Sequence, residues 1–143
     1  MQIKTFMHKN VVSLDLDRTL LDVKRIFDRT SFHHLLITQF DRLVGVVSDR
    51  DFLKSISPNV GSIDETQADR GTLKRHVNVI MSHNLITLSP ESNFFDAVTL
   101  FHEHKISCIP IVDENKFIKG IVSWRDLMKV IIQRQKYIEA SYK

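Results

Sequence analysis

Gly45-Val-Val-Ser-Asp-Arg-Asp-Phe-Leu-Lys54 and Gly120-Ile-Val-Ser-Trp-Arg-Asp-Leu-Met-Lys129 are two copies of one pattern. Six of the ten positions are identical and three more exchange one apolar residue for another. Such a repeat within 143 residues implies a duplicated structural unit. The apolar, β-branched start of each copy reads as a strand, and the residues after its serine read as a helix. Each copy therefore places a hydroxyl (Ser48, Ser123) three residues ahead of a carboxylate (Asp51, Asp126) where a strand becomes a helix.

Beyond the motifs, a shift of 74 residues aligns Met7 with Met81, Asn10 with Asn84, Leu14 with Leu88, Asp22 with Asp96 and Phe27 with Phe101. The shift becomes 75 after one inserted residue near Asn115, which brings the glycine motifs into register. Residues 11–14 and 85–88 read as short strands. Thr19 and Asn93 are good helix N-caps, each with an acid three residues on. The helices after them carry Leu20, Val23, Ile26 and Phe27, and Phe94, Ala97, Val98 and Phe101, at helical spacing. Residues 35–38 and 108–112 read as buried strands, each joined by a tight link to the motif strand as a hairpin. The motif helices start at Asp49 and Trp124. The expected fold class is α/β (α+β), a β-α-β-β-α unit used twice.

Residues 1–56 form repeat one, 57–80 a linker containing a helix, and 81–143 repeat two. Turn residues at 57–62 interrupt the chain, Ser62 and Glu65 suggest a helix start, and residues 64–81 read as mostly helical. The last helix runs on to about Tyr142. Its Leu127, Val130, Ile131 and Ile138 make an apolar face that suits its own domain or a second subunit.

Composition narrows the function classes. The chain is 43% hydrophobic and 26% charged, the profile of one compact module. Its net charge is +3, but Lys and Arg are scattered rather than gathered on one face, which argues against a nucleic-acid binder. The single cysteine, Cys108, excludes an intrachain disulfide. No leader-like pattern and no apolar run of membrane-spanning length occurs, so a cytoplasmic setting is expected.

These units resemble a tandem pair of cystathionine-β-synthase-type (CBS) domains. The resemblance rests on both Gly-apolar-Val-Ser-x-Arg-Asp motifs and on Ile109-Pro110-Ile111-Val112-Asp113 in repeat two. It covers the chain from about Met7 to Ile132 and extends more faintly to small bacterial CBS-pair proteins such as acetoin-utilisation regulators. It implies a pseudo-two-fold module whose two sheets pack face to face and leave two clefts for adenine nucleotides. In repeat two it assigns Ser123 and Asp126 to the ribose, with the adenine against Leu85, Ile86 and Thr87 and the backbone of Ser107, Cys108, Ile109 and Pro110. In repeat one it assigns Ser48 and Asp51 to the ribose, with Val11, Val12, Ser13 and the stretch from His33 and His34 to Leu36 against the base. Arg50 and Arg125 are candidates for phosphate contact. A homodimer and an unidentified downstream protein partner are also implied.

The residue chemistry fits that assignment. An ionised carboxylate only accepts hydrogen bonds and has room for two vicinal hydroxyl donors. A helix start adds free N–H groups for an anion. The plainer role, a serine cap with its first-turn acid, is compatible with ligand binding. Repeat one departs from the pattern, with Leu36 in place of Pro110, His33-His34 in place of Ser107-Cys108 and Asp49 in place of Trp124. The extra carboxylate of Asp49 disfavours a phosphate unless a histidine offsets it, so the Ser123–Asp126 corner ranks first. An Asp126 turned away from any cavity and locked in an internal ion pair would remove the basis for a sensor and leave a duplicated scaffold.

The seven histidines show no metal-binding spacing, and no catalytic motif is present. The expected protein is not an enzyme and needs no catalytic cofactor. It is a regulatory module that senses an adenine nucleotide (AMP, ADP or ATP) or related adenosyl compound in an inter-repeat cleft. The alternative is a dimerising interaction module with no small-molecule ligand.

Overall fold

The computed structural model describes all residues, 1–143, and places them in two compact units. One unit is Val12–Leu85 and the other joins Met1–Val11 to Ile86–Lys143. The boundaries do not follow the sequence repeats. The first eleven residues belong with repeat two, and the linker belongs with repeat one.

In the Val12–Leu85 unit, β1 (Ser13–Asp15) runs parallel to β2 (His34–Gln39), which pairs antiparallel with β3 (Arg42–Ser48). Helix α1 (Leu20–Arg29) starts at Thr19, whose N–H is accepted by Asp22. Helix α2 (Asp49–Ser55) continues directly from β3. The hairpin turns through Phe40 and Asp41, both at positive φ. Leu20, Val23, Leu35, Ile37, Val47 and Phe52 form the core.

The second unit repeats this plan with α4 (Phe94–Glu103), the hairpin β4 (Cys108–Val112) and β5 (Ile118–Ser123), and the long α5 (Trp124–Ser141). Asn93 caps α4 in a reciprocal box with Asp96. The inserted residue lies in the hairpin turn, where Asp113 accepts N–H groups from Asn115 and Phe117 and Lys116 takes a positive φ.

Two expected elements are shorter than the sequence suggests. Residues 85–88 make no full strand; only Leu88 bridges, parallel, to Ile111. In the other unit the Leu36 N–H donates to the Val12 carbonyl. Pro110 stands where Leu36 does and has no N–H to offer Ile86. The linker helix also fragments. It shrinks to α3 (Gln67–Gly71), capped by Thr66 and Asp69 rather than by Ser62 and Glu65, followed by single 3-10 turns at Thr72–Lys74 and Val77–Val79. Glu65 instead accepts the Gly61 N–H.

The segments before each repeat are exchanged between the units. Ile3 is fully buried with Ala97, Ile109, Ile111, Val122 and Leu127, while its repeat counterpart Val77 is fully buried in the first core. His8 makes a two-way backbone bridge with Ile121, both bonds 3.0 Å, and Ser82 makes the same bridge with Val46. These arms explain the motif glycines. A Cβ on Gly45 would collide with the Met81 side chain, and one on Gly120 would lie 2.7 Å from the His8 carbonyl oxygen and 2.8 Å from Met7 Sδ.

A methionine side chain can shift, whereas a bridged backbone carbonyl cannot without loss of its bond. Gly120→Ala should therefore cost about 1–3 kcal/mol, and Gly45→Ala clearly less. Urea unfolding of the two variants checks this order, and equal losses would contradict the arm-packing explanation.

Candidate functional site

Each hairpin ends in a corner built by a reciprocal cap. Ser48 Oγ accepts the Asp51 N–H at 3.0 Å, and Asp51 Oδ2 accepts the Ser48 N–H at 3.4 Å. Ser123 Oγ accepts the Asp126 N–H at 3.3 Å, while Asp126 Oδ2 accepts the Ser123 N–H at 2.7 Å and its hydroxyl at 3.0 Å. The sequence explains both: Ser at the N-cap with Asp three residues on satisfies two orphan donors at once.

Beyond the cap the two carboxylates differ. Asp126 Oδ1 accepts from His8 Nε2 at 2.7 Å, and the Asp126 side chain is only 7% exposed. Asp51 is half-buried, its carboxylate accepts the cap N–H through Oδ2, and its charge is felt by the nearby His34 imidazole. Ser82, the counterpart of His8, sits in the same register opposite Val46 and is exposed. The order drawn from sequence is therefore reversed in carboxylate availability. The acid ranked first is held in an internal pair, which counts against the sensor expectation as it was drawn on Asp126, and the acid ranked second is the more exposed of the two. His8 was absent from the sequence assignment. Its signal was the Met7/Met81 alignment, which also aligns His8 with Ser82, but nothing in one sequence says that residue 8 packs against residue 126.

The remaining residues divide by unit. Beside Asp51, His33 is exposed and donates from Nδ1 to Asp49 Oδ2 at 2.9 Å. That bond holds the Asp49 carboxyl below its ordinary range. The carboxylate that seemed to spoil this corner is thus countered by a neighbouring histidine. His34 is half-buried and faces Ser48 across the hairpin. Val12 is half-buried against the core, Ser13 is exposed opposite Leu36, and Arg50 points to solvent.

Beside Asp126, Trp124 is 47% exposed with the Arg125 guanidinium 5.6 Å from its ring centre. Ser107 is exposed. Ile109 is fully buried, so only its backbone can meet a ligand. Cys108 and Pro110 are buried too, and burial pushes the Cys108 thiol up to about 12, which keeps it protonated. Ile86 and Thr87 are half-buried; Thr87 lines an open groove with Lys4, Lys9, Glu114 and Lys119. No three His, Cys, Asp or Glu side chains converge as a metal site would require. No helix is long and apolar enough to cross a membrane.

The CBS domain model matches residues 3–58 and 76–133. The chain belongs to the CBS domain family. Among its relatives, a CBS domain-containing protein of Dictyostelium discoideum is 27% identical over 133 residues, covering 92% of this chain and 91% of that one. The uncharacterised protein MJ1225 of Methanocaldococcus jannaschii is 28% identical over 131 residues, covering 89% of this chain but 46% of its own length. The chain thus spans about half or less of several of its curated relatives. In structure it is similar to the CBS domain pair of protein MJ0100, solved with 5′-methylthioadenosine and S-adenosyl-L-methionine. That match has a TM-score of 0.75 and 19% identity, covering 94% and 98% of the two chains. It is also similar to CBSX2, solved with AMP, at a TM-score of 0.77 and 21% identity over 94% and 98%. At those identities the likeness shows the fold alone.

Burial lowers the His34 pKa from its ordinary 6.5, so between the two values the unfolded chain binds a proton that the folded chain refuses. Stability contributed by neutral His34 is present above 6.5 and is lost as the pH falls below it. His34→Gln should flatten the acid limb of a melting-temperature profile through that region. A variant profile parallel to the wild type would contradict the assignment.

Proposed function

We propose that this CBS pair is a ligand-sensing regulatory module that binds an adenosine-bearing compound through a Ser-x-x-Asp corner and signals occupancy to a partner. The observation behind this reading is the Asp51 carboxylate. It is fixed by the Ser48 cap, half-buried and holds an oxygen outside that cap. An ionised acid so placed suits the two adjacent hydroxyls of a ribose. The N-terminus of α2 and the His33–Asp49 pair stand next to it, where an anionic tail would be met by N–H groups and an imidazole. The structural relatives solved with S-adenosyl-L-methionine and with AMP support an adenosyl ligand.

In this reading Ser48 and Asp51 hold the ribose. The base lies against Val12, Ser13 and the backbone from His33 to Leu36, and Arg50 is available to a phosphate. Ligand binding shifts the partner-facing state only by its difference in affinity between two arrangements. A second reading, a dimerising interaction module, draws on α5, where Met128, Ile131, Ile132 and Ile138 are 45–54% exposed at helical spacing.

Charge-assisted hydrogen bonds of this kind contribute about 1.5–3 kcal/mol. Asp51→Ala should therefore weaken binding of AMP, ATP or S-adenosylmethionine roughly ten- to a hundred-fold. Calorimetry on the wild type and the variant checks this. Unchanged affinity would remove Asp51 from the site, and no binding of any adenosyl compound by the wild type would favour the interaction module.

A further inference from the structure

We infer that His8 is a built-in competitor for the Asp126 carboxylate, so that the repeat-two corner stays closed to a ribose diol while the repeat-one corner stands open. This rests on the reading of the Ser-x-x-Asp corner as a diol site and adds to it which corner is used and what shuts the other.

Three observations carry the inference. The first is that the two corners share one frame: Ser48–Asp51 and Ser123–Asp126 make the same reciprocal caps. The same two-way bridge also ties the incoming arm to the hairpin at Val46 and at Ile121. The second is that the arm residue at that bridge differs, Ser82 in one unit and His8 in the other. An imidazole reaches across to the carboxylate, and in this structure it donates to Asp126 Oδ1 at 2.7 Å. Ser82 makes no such contact to Asp51; its backbone keeps the bridge while the short side chain stays exposed.

The third observation is the state of the acid itself. With Oδ2 taken by the Ser123 N–H and hydroxyl and Oδ1 by His8, both Asp126 oxygens are engaged inside the protein. At 7% side-chain exposure, a diol can reach the acid only where the ring now sits. The ring is 59% exposed and so is free to leave. His8 therefore acts as a removable occupant rather than a structural pillar. Its backbone holds the arm in place through the Ile121 bridge, and its side chain sets access.

The consequence is an ordered pair of sites. At Asp51 a ligand meets no donor from the arm, although the half-buried His34 lies near enough to feel that carboxylate. At Asp126 it must first displace an internal donor and so binds more weakly. His8→Ser copies into repeat two the residue found at the same place in repeat one, and keeps the backbone bridge.

The test is calorimetric titration with AMP of the wild type, His8→Ser, Asp51→Ala, Asp126→Ala, and the double variant His8→Ser/Asp51→Ala. Each is checked to be folded at the titration temperature by a cooperative melt, the Asp variants melting lower for loss of the cap acid. The wild type should bind one AMP per chain, lose it with Asp51→Ala and keep it with Asp126→Ala. His8→Ser should bind two. The double variant should regain one site, at least about ten-fold tighter than any residual binding to Asp51→Ala. A dideoxy analogue lacking both ribose hydroxyls should not bind the opened corner.

If the wild type binds AMP through Asp51 and His8→Ser leaves stoichiometry and affinity unchanged, the competitor role of His8 is overturned while the diol reading stands. Loss of wild-type binding with Asp126→Ala rather than Asp51→Ala overturns that role in the same way. If no variant binds AMP, the diol reading falls and the His8 proposal with it.

Discussion

A two-way backbone bridge between each arm and its hairpin organises everything else in this molecule. His8 with Ile121 and Ser82 with Val46 tie the chain segment ahead of one repeat to the strand pair of the other. The bridges bring Met7 and Met81 down onto Gly120 and Gly45, so the hairpin must present no side chain at those points. They also sink Ile3 and Val77 into the two cores. The glycine that opens each motif is therefore explained by packing against the arm, and the serine and aspartate that close it by the helix cap.

Because the frame is shared, small differences placed on it become differences in chemistry. The arm delivers a histidine to one carboxylate and a serine to the other. The residue after the capping serine is Trp124 in one corner, stacked under Arg125, and Asp49 in the other, paired with His33. One corner thus has its acid hydrogen-bonded internally and is aromatic at its rim. The other has an available acid and an imidazole–carboxylate pair beside it. Duplication followed by local substitution yields two unlike sites without change of fold.

Much of the fold was legible because its signals are local. Thr19 with Asp22 and Asn93 with Asp96 mark helix starts, and apolar runs mark β2 and β4. The Gly45 and Gly120 motifs mark strand-to-helix corners. The elements that came out differently have local causes without local signals. Pro110 shortens the strand at 85–88 by withholding one N–H from Ile86, an effect that depends on which residue it faces. Thr66 and Asp69 outcompete Ser62 and Glu65 as a cap because Glu65 turns back to Gly61. For the site, the caps were readable from spacing, and the relative standing of the two corners was not. That standing is decided by the pairing of residue 8 with residue 126, a contact across 118 positions that no periodicity encodes.

The carboxylate left uncovered by its arm should be the one that takes the ligand. A residue-resolved amide NMR titration with AMP reads both capped corners in the same sample. The Ser48 and Asp51 amides should move first, with His33 beside them, while those of Ser123 and Asp126 stay in place at low occupancy. Movement of Ser123 and Asp126 first, with Ser48 and Asp51 still, would contradict this.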